Sequence, residues 1–292
     1  MKIFDCTTYY DEELILDLRF NMLNEYVDKF VVCEARFSHS GKEKDITFNK
    51  KNFPKFENKI THLIIDKEPS DIIKKESLSI VELRQNSILR IRDQRNYISK
   101  ILNDFSSDDY IIHSDNDEIP NLKEFDLKSS KKKFIIFNQK MFYYKFNLNL
   151  PNLNWYGSKA CKLKYLNSID FLRNIKNKEY SFMRIDTLFS DSKQKSVNIV
   201  KNGGWHFSNL KSYKDLEKKY LNDENHAEYE AQNNSVSKIQ DNIKRQVVPY
   251  NHNAKKDSAN RFRETKLIKV DKDILPEYII ENFNRFKDWI AS

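Results

Sequence analysis

The sequence predicts an α/β fold with a mostly parallel central sheet flanked by helices, and three observations predict it. One is a strand–helix–strand rhythm near the amino terminus. Another is a long amphipathic stretch that runs into a short apolar strand. The third is a composition that suits one large folded unit. The 292 residues include only 4 Gly and 6 Pro, with 39% hydrophobic and 32% charged residues. That balance excludes collagen-like, linker-rich and disordered architectures, and the 20 Phe and 15 Tyr supply large side chains for a core.

Residues 2–6 (KIFDC) form a short, mostly apolar first strand. Over 12–26 the apolar residues Leu14, Ile15, Leu18, Met22 and Tyr26 recur at helical spacing. Residues 29–33 (KFVVC) read as a second strand that delivers Glu34 to its carboxyl end, before a polar loop with Ser38, His39, Ser40 and Gly41. This order is the βαβ unit of a parallel sheet. Residues 60–65 (ITHLII) give a third strand, whereas 71–83 mix charge with isolated apolar positions and take no firm assignment.

The spacing of Ile88, Ile91, Ile98, Ile101, Leu102 and Phe105 predicts an amphipathic helix over 85–105, with Arg95 at the edge of its apolar stripe. Residues 109–113 (DYIIH) predict a buried strand. It runs directly into Ser114-Asp115-Asn116-Asp117-Glu118-Ile119-Pro120, where Pro120 stops any continuation. Farther on, 133–138 (KFIIFN) and 141–146 (MFYYKF) predict two strands, and 155–185 resist assignment. Residues 213–245 are charged and helix-permissive, and Pro276 suits the start of a helix over 276–290. No internal repeat or linker divides the chain.

Lys and Arg number 51 against 43 Asp and Glu, a net charge of +8. The excess suits an anionic partner such as a nucleotide diphosphate, a lipid phosphate surface or a nucleic acid. Acids and bases are interleaved throughout, so a solvated charged surface accounts for the balance equally well. Cys6, Cys33 and Cys161 are odd in number and form no CxxC, which points to buried free thiols rather than disulfides or a zinc site. The amino terminus has no apolar h-region, and no stretch approaches the roughly 18 apolar residues of a membrane span. The expected location is cytoplasmic, with peripheral contact to the inner membrane face as an option. HExxH, P-loop and GxGxxG patterns are lacking, so zinc-protease, P-loop and dinucleotide-binding readings have no support.

Chemistry concentrates at the end of the strand over 109–113. Ligands of open α/β sheets bind beyond the carboxyl ends of strands. Asp115 and Asp117, spaced i, i+2 at such an end, can hold one hard cation between them, and magnesium or manganese prefers oxygen ligands shared with substrate phosphates. On spacing, Asp115 faces a nucleotide and Asp117 the metal. Arg92 and Arg95 are helix neighbours whose guanidinium forks match phosphates and carboxylates alike. The chain's only Gly pair, Gly203-Gly204, precedes Trp205, which can stack on a sugar or base. His206 after it can ligate a metal or bond a phosphate, although a satisfied core histidine is the ordinary alternative.

Taken with these residues, the segments IFDCTTYYDEELILDLRFNML, VDKFVVCEARFSHSGKEK, RDQRNYI, DDYIIHSDNDEIP and GGWHFSNL resemble glycosyltransferase family 17. A looser match continues through LNDENHAEY and ILPEYIIENFNRF. The resemblance implies a GT-A-like nucleotide-sugar-binding fold in a single domain. About 1–130 would be its nucleotide-binding half, and about 131–292 its acceptor-binding half with the carboxyl-terminal helices. It also implies inverting transfer from a nucleotide sugar, UDP-linked and UDP-GlcNAc among the options, with a divalent metal such as manganese. The acceptor would be a glycan, glycolipid or glycoprotein, as in polysaccharide biosynthesis by a soluble bacterial or viral member.

Asp115 and Asp117 match the family's acidic motif, and Glu34, Arg92, Arg95, Trp205 and His206 match its recurring blocks. By chemistry Glu34, Arg92, Arg95, Asp115 and Trp205 are expected to contact the donor, and Asp115, Asp117 and His206 the metal. Asp186, in MRIDT, is the candidate base for the acceptor hydroxyl. A non-catalytic carbohydrate-binding or nucleic-acid-binding protein is the alternative, although no nucleic acid is expected.

Overall fold

Strand β1 (Ile3–Tyr9), helix α1 (Glu13–Leu23) and strand β2 (Lys29–Ala35) form the predicted βαβ unit in the computed structural model, which describes residues 1–232, 235–254 and 259–292. The two strands pair in parallel, with Phe4 opposite Lys29 and Tyr9 opposite Glu34. Strand β3 (Ile60–Ile65) extends the sheet beyond β2, again in parallel. Helix α2 (Ile80–Tyr97) then crosses over to β4 (Tyr110–Ser114), which pairs in parallel with the other side of β1. The sheet order β3-β2-β1-β4 therefore reverses direction at β1 and β4.

Past β4 the chain continues through β5 (Glu118–Pro120), β6 (Phe134–Tyr143), β7 (Leu148–Asn149) and β8 (Trp155–Lys162). It proceeds to α3 (Ile169–Asn174), β9 (Val197–Val200) and β10 (Gly204–Ser208). β8 lies antiparallel between β4 and β6, while β9 and β10 pair in parallel with β6. The central sheet is mostly parallel, as predicted, with antiparallel strands at its second half. Helices α4 (Tyr213–Tyr220), α5 (His226–Ala231) and α6 (Val236–Arg245) follow, then short strands β11 (Val247–Val248), β12 (Thr265–Lys266) and β13 (Ile268–Lys269). Helices α7 (Glu277–Glu281) and α8 (Phe283–Phe286) end the fold.

Both faces of the sheet are covered, because alternate strand residues point to opposite sides. Ile3, Val32, Ile112 and Ile135 meet Leu16, Phe20 and Leu23 of α1 and Ile279 and Phe286 of the last helices. Phe4, Cys6, Val31, Ile111 and Ile136 meet Ile98, Ile169 and Leu172 on the other face. The three cysteines are buried free thiols, as expected. Among the described residues no helix is long and apolar enough to cross a membrane.

Several expectations are corrected. The helix predicted over 85–105 begins earlier, at a capping box in which Ser79 and Glu82 satisfy each other's backbone N–H groups, and tightens to a 3-10 helix from Ile98 to Asp104. Its buried residues up to Tyr97 are polar (Asn86, Ser87, Arg90 and Gln94), whereas Ile88 is exposed; of the predicted apolar stripe only Ile98 is buried, and Ile91, Ile101, Leu102 and Phe105 are half-buried. The inner face holds neighbouring loops by hydrogen bonds instead, Asn86 to both backbone groups of Ile73 and Gln94 to the Cys33 carbonyl.

The strands predicted over 133–138 and 141–146 are one strand, β6, that stops where Tyr144 takes a left-handed φ of 63°. The strand predicted over 109–113 ends at Ser114, and Pro120 closes a separate short strand, β5, which pairs antiparallel with β10. The helix-permissive stretch 213–245 is three helices, and its residues 233 and 234 lie outside the described residues.

Candidate functional site

Since β2 lies on one side of β1 and β4 on the other, the carboxyl ends of β1 and β4 flank a topological switch point. Open α/β sheets bind ligands in the crevice outside such a point. A cavity of about 220 Å³ opens there. Tyr9 and Tyr10 line it from the end of β1, His39 and Lys44 from beyond β2, and Gln94 and Arg95 from α2. Asp115, Asn116 and Asp117 contribute the turn after β4, and Lys219 and Asp223 close the cavity from α4 and the loop behind it.

Backbone and side chain together lock the acidic turn. The Asp115 N–H donates to Glu118 Oε2 at 2.9 Å, and the Glu118 N–H donates to the Asp115 carbonyl at 3.1 Å. Glu118 is fully buried and has no freedom to reach a ligand. Its Oε1 accepts from Trp155 Nε1 at 2.7 Å and Arg173 Nη2 at 2.6 Å, and its Oε2 from Arg173 Nη1 at 2.8 Å. Gly157 makes this approach possible, since a Cβ there would stand 2.6 Å from the Glu118 carboxyl carbon. Arg19 of α1 forks onto Asp5 of β1 at 2.6 and 2.5 Å and donates to the Glu118 carbonyl, so the first βαβ unit is tied to the turn.

The two aspartates have different surroundings. Asp115 accepts from Arg95 at 2.9 and 3.1 Å and from Arg173 at 2.6 Å. Burial would raise its pKa, but the two guanidiniums overcome that and hold it far below the usual carboxylate range. A carboxylate has about four acceptor positions, so roughly one remains for a ligand donor. Asp117 faces His206, Oδ1 to Nε2 at 3.1 Å, with Lys219 Nζ 3.8 Å from its other oxygen. Burial again opposes ionisation, yet the imidazole and the ammonium lower the Asp117 pKa, and Asp117 in turn raises that of His206.

The glycine pair explains how His206 arrives beside Asp117. Gly204 has φ of +122°, and a Cβ there would lie 2.1 Å from the Ile119 carbonyl oxygen. Only glycine lets β10 close against β5, with the Phe207 N–H donating to the Asp117 carbonyl at 2.8 Å. Trp155 then packs on the His206 ring with centroids 4.7 Å apart.

The structure brings together Arg95, Asp115, Asp117 and His206 from the predicted set. It leaves Glu34, Arg92, Trp205 and Asp186 elsewhere. Glu34 is buried under the cavity wall, accepting from Lys44 Nζ at 2.6 Å and from the Thr47 and Phe48 N–H groups at 2.9 and 3.1 Å. Arg92 points outward to Asp71 at 2.5 Å. Trp205 alternates away from His206 along β10 and donates to the Ile274 carbonyl at 2.9 Å. Asp186 lies in an exposed loop between Arg184 and Lys193 and does not line the cavity.

Residues that sequence reasoning did not single out complete the site. Arg173 and Trp155 come from the stretch that resisted assignment, and no pattern marks them. Lys219 and Asp223 stand at and beyond the end of α4, Asp223 in the loosely matching LNDENHAEY segment. Among the described residues, Asp223 is the cavity carboxylate with no cationic side chain at ion-pairing distance. Asp115 and Asp117 have their partners, Glu12 has Lys211 at 3.6 Å, and Glu224 has Arg84 at 3.7 Å. Burial pushes the Asp223 carboxyl up to about 6, against the Asn225 N–H and Lys219, which pull it down.

Asp117 and His206 are the pair of side chains that could hold a cation. Among the described residues no group of three or more His, Cys, Asp or Glu is arranged to bind one, and guanidiniums take up most of the Asp115 acceptor positions. Two protein donors fit magnesium or manganese at a phosphate site, where substrate oxygens and waters complete the shell.

A family model described as glycosyltransferase family 17 matches residues 1–290. Comparison with curated proteins finds no match. Among solved structures, HddC from Yersinia pseudotuberculosis is 8% identical with a TM-score of 0.34, over 69% of this chain and 91% of that one. A glycosyltransferase involved in glycosylation of the major capsid of PBCV-1 is 10% identical with a TM-score of 0.28, over 68% and 81%. A glucose-1-phosphate thymidylyltransferase from Bacillus anthracis, titled putative, is 11% identical with a TM-score of 0.31, over 70% and 87%.

Proposed function

The chain belongs to glycosyltransferase family 17 and is a glycosyltransferase, and from that premise we propose that the crevice at the ends of β1 and β4 transfers a sugar from a UDP-linked donor to a hydroxyl of a glycan or glycolipid acceptor, with inversion. The supporting observation is the meeting, in one cavity at the switch point, of Asp115 and Asp117 with Asp223, a carboxylate that has no ion pair among the described residues.

In this reading the donor diphosphate lies against the acidic turn and the nucleoside extends past Tyr10 and His39. Asp115, held rigid by Arg95 and Arg173, accepts from a ribose hydroxyl with its remaining lone pair. Asp117 and His206 would hold a divalent cation, manganese or magnesium. When bound, it neutralises charge on the leaving diphosphate, an effect worth several kcal/mol. Lys219 adds a positive charge on the same side. Asp223 takes the proton from the acceptor hydroxyl as its oxygen attacks the anomeric carbon from the face opposite the diphosphate. It replaces Asp186 in that role, because Asp186 is outside the cavity and neutralised by two cations. Membership in a transferase family also sets aside the non-catalytic carbohydrate-binding and nucleic-acid-binding alternatives.

A thermal-shift screen of UDP-, GDP- and CMP-sugars with and without manganese tests the reading. Native-state stabilisation scales with ligand concentration over Kd, so a UDP-sugar raises the melting temperature, and by more with manganese. Equal shifts for all three nucleotides, or none with UDP-sugars, would refute the donor assignment.

A further inference from the structure

The segment between α3 and β9 carries an apolar cluster that neither the fold nor the transfer reaction uses. Phe182, Met183, Ile185, Leu188 and Phe189 are each 70% to 86% exposed. Exposed apolar residues normally scatter singly, and a contiguous set marks a surface that meets something other than water. The backbone beneath them is internally bonded. The Arg184 N–H donates to the Ser181 carbonyl at 3.1 Å, the Leu188 N–H to the Ile185 carbonyl at 2.9 Å, and Thr187 Oγ1 to the Arg184 carbonyl at 2.6 Å. A segment that enters a medium poor in hydrogen-bond partners needs that internal satisfaction.

Cations outnumber acids around the cluster, with Arg184, Lys193, Lys195 and Lys131 to Lys133 against Glu179, Asp186 and Asp191. Asp186, the acid among the apolar tips, is clamped by Arg184 at 2.7 Å and Lys193 at 2.8 Å, and Glu179 pairs with Lys132. Lys195 reaches into the cluster, donating to the Phe182 carbonyl at 2.7 Å. The adjoining turn adds Lys131 and Lys133, and the Lys133 N–H bonds Ser196 at 3.0 Å. This collar therefore keeps a net positive charge, six cations against three acids.

We propose that residues 181–196 form a membrane-docking loop that seats on an anionic lipid surface, with the apolar tips at the headgroup–acyl boundary and the lysine collar among the headgroups. Five separate side chains raised on two consecutive tight turns make a protrusion. Fluid lipid receives such a shape without complementarity, whereas a protein partner needs a matching concavity. Apolar burial and attraction to anionic headgroups add in surface binding. The proposal does not depend on the catalytic reading, and it gives Asp186 a place as an acid neutralised within the loop.

The test is co-sedimentation of the full chain with vesicles of phosphatidylcholine alone and of phosphatidylcholine and phosphatidylglycerol in equal parts. The wild-type chain sediments with the mixed vesicles and less with the neutral ones. The double variant Phe182→Ser/Phe189→Ser, at unchanged melting temperature, loses at least about tenfold in partition coefficient. Lys131→Ala and Lys133→Ala each lose roughly fivefold on mixed vesicles only. Failure of the wild-type chain to sediment, or sedimentation of the double variant like wild type, overturns the proposal. So does a concentration-dependent dimer, seen by sedimentation velocity, that the double variant dissolves while neither protein binds lipid.

Discussion

Replacing Asp223 with Asn removes the proposed base with almost no change of shape. The Asn225 N–H, which donates to Asp223 Oδ1 at 2.7 Å, keeps a carbonyl acceptor in the variant. Among the described residues no cation pairs with Asp223, so the substitution strands no partner and the fold should be unaffected. A positioned general base contributes about 10²- to 10⁴-fold, which at about 1.4 kcal/mol per tenfold is roughly 3–5 kcal/mol of barrier. The wild-type enzyme also carries a pH signature. Burial places the carboxyl at about 6, and the base works only when deprotonated, so activity is lost as pH falls through that value. About nine-tenths is ionised at pH 7 and just under one-tenth at pH 5, a roughly tenfold drop in rate.

The assay is UDP release from the donor with an oligosaccharide acceptor pool, run from pH 5 to 8, with UDP affinity measured separately. The Asn variant should bind UDP like wild type, lose at least about a hundredfold in kcat, and lack the acid limb near 6. A variant within about threefold of wild-type kcat, or one that retains the same limb, would refute Asp223 as the base.

Three more outcomes follow from the same geometry. Arg173→Met leaves Glu118 fully buried with its charge uncompensated and Asp115 with Arg95 as its remaining guanidinium, so urea unfolding should show a loss of roughly 3–5 kcal/mol; a loss below about 1 kcal/mol would remove Arg173 as the anchor of the turn. Glu34, despite burial, is held at about 2 by His62, Lys44 and Thr47. A depressed folded-state pKa gives stability that is present above the unfolded value near 4.3 and lost as pH falls toward 2. Glu34→Gln should flatten that acid loss, and an unchanged acid unfolding curve contradicts the role. Asp186→Ala should leave kcat and KM at wild-type values in the UDP-release assay, whereas a loss above about tenfold would restore it as the base.

How much of this is legible in the sequence depends on the type of signal. The runs KIFDC, KFVVC, ITHLII and DYIIH fall on β1 to β4, because strands buried on both faces read as short apolar runs, and the edge strand β3, half-buried along its middle, keeps the same character. Together they place the acidic turn at a strand end on the strength of residue order alone. The capping box at Ser79 and Glu82 is readable as S-x-x-E but is masked by the charge around it. The inner face of α2 escapes hydrophobic periodicity because Asn86, Arg90 and Gln94 are buried to bond loops, and periodicity is blind to that.

Arg95, Asp115, Asp117 and His206 stand out because Asp pairs and glycine pairs leave local marks. Arg173 and Trp155 do not, since each reaches the turn from a distant strand or helix and only the tertiary fold brings them there. Trp205 falls on the other side for a simple reason. Neighbours along a strand face opposite ways, so it and His206 could not both point into the cavity.

The account rests on Asp117 and His206 as the pair that joins the donor's diphosphate to a cation. Isothermal titration of UDP into the full chain, with and without manganese, addresses that pair directly when wild type is compared with Asp117→Ala. The predicted result is manganese-dependent tightening of at least about tenfold in the wild type and none in the variant, with both proteins melting at similar temperatures. Equal tightening in the two proteins would contradict the claim.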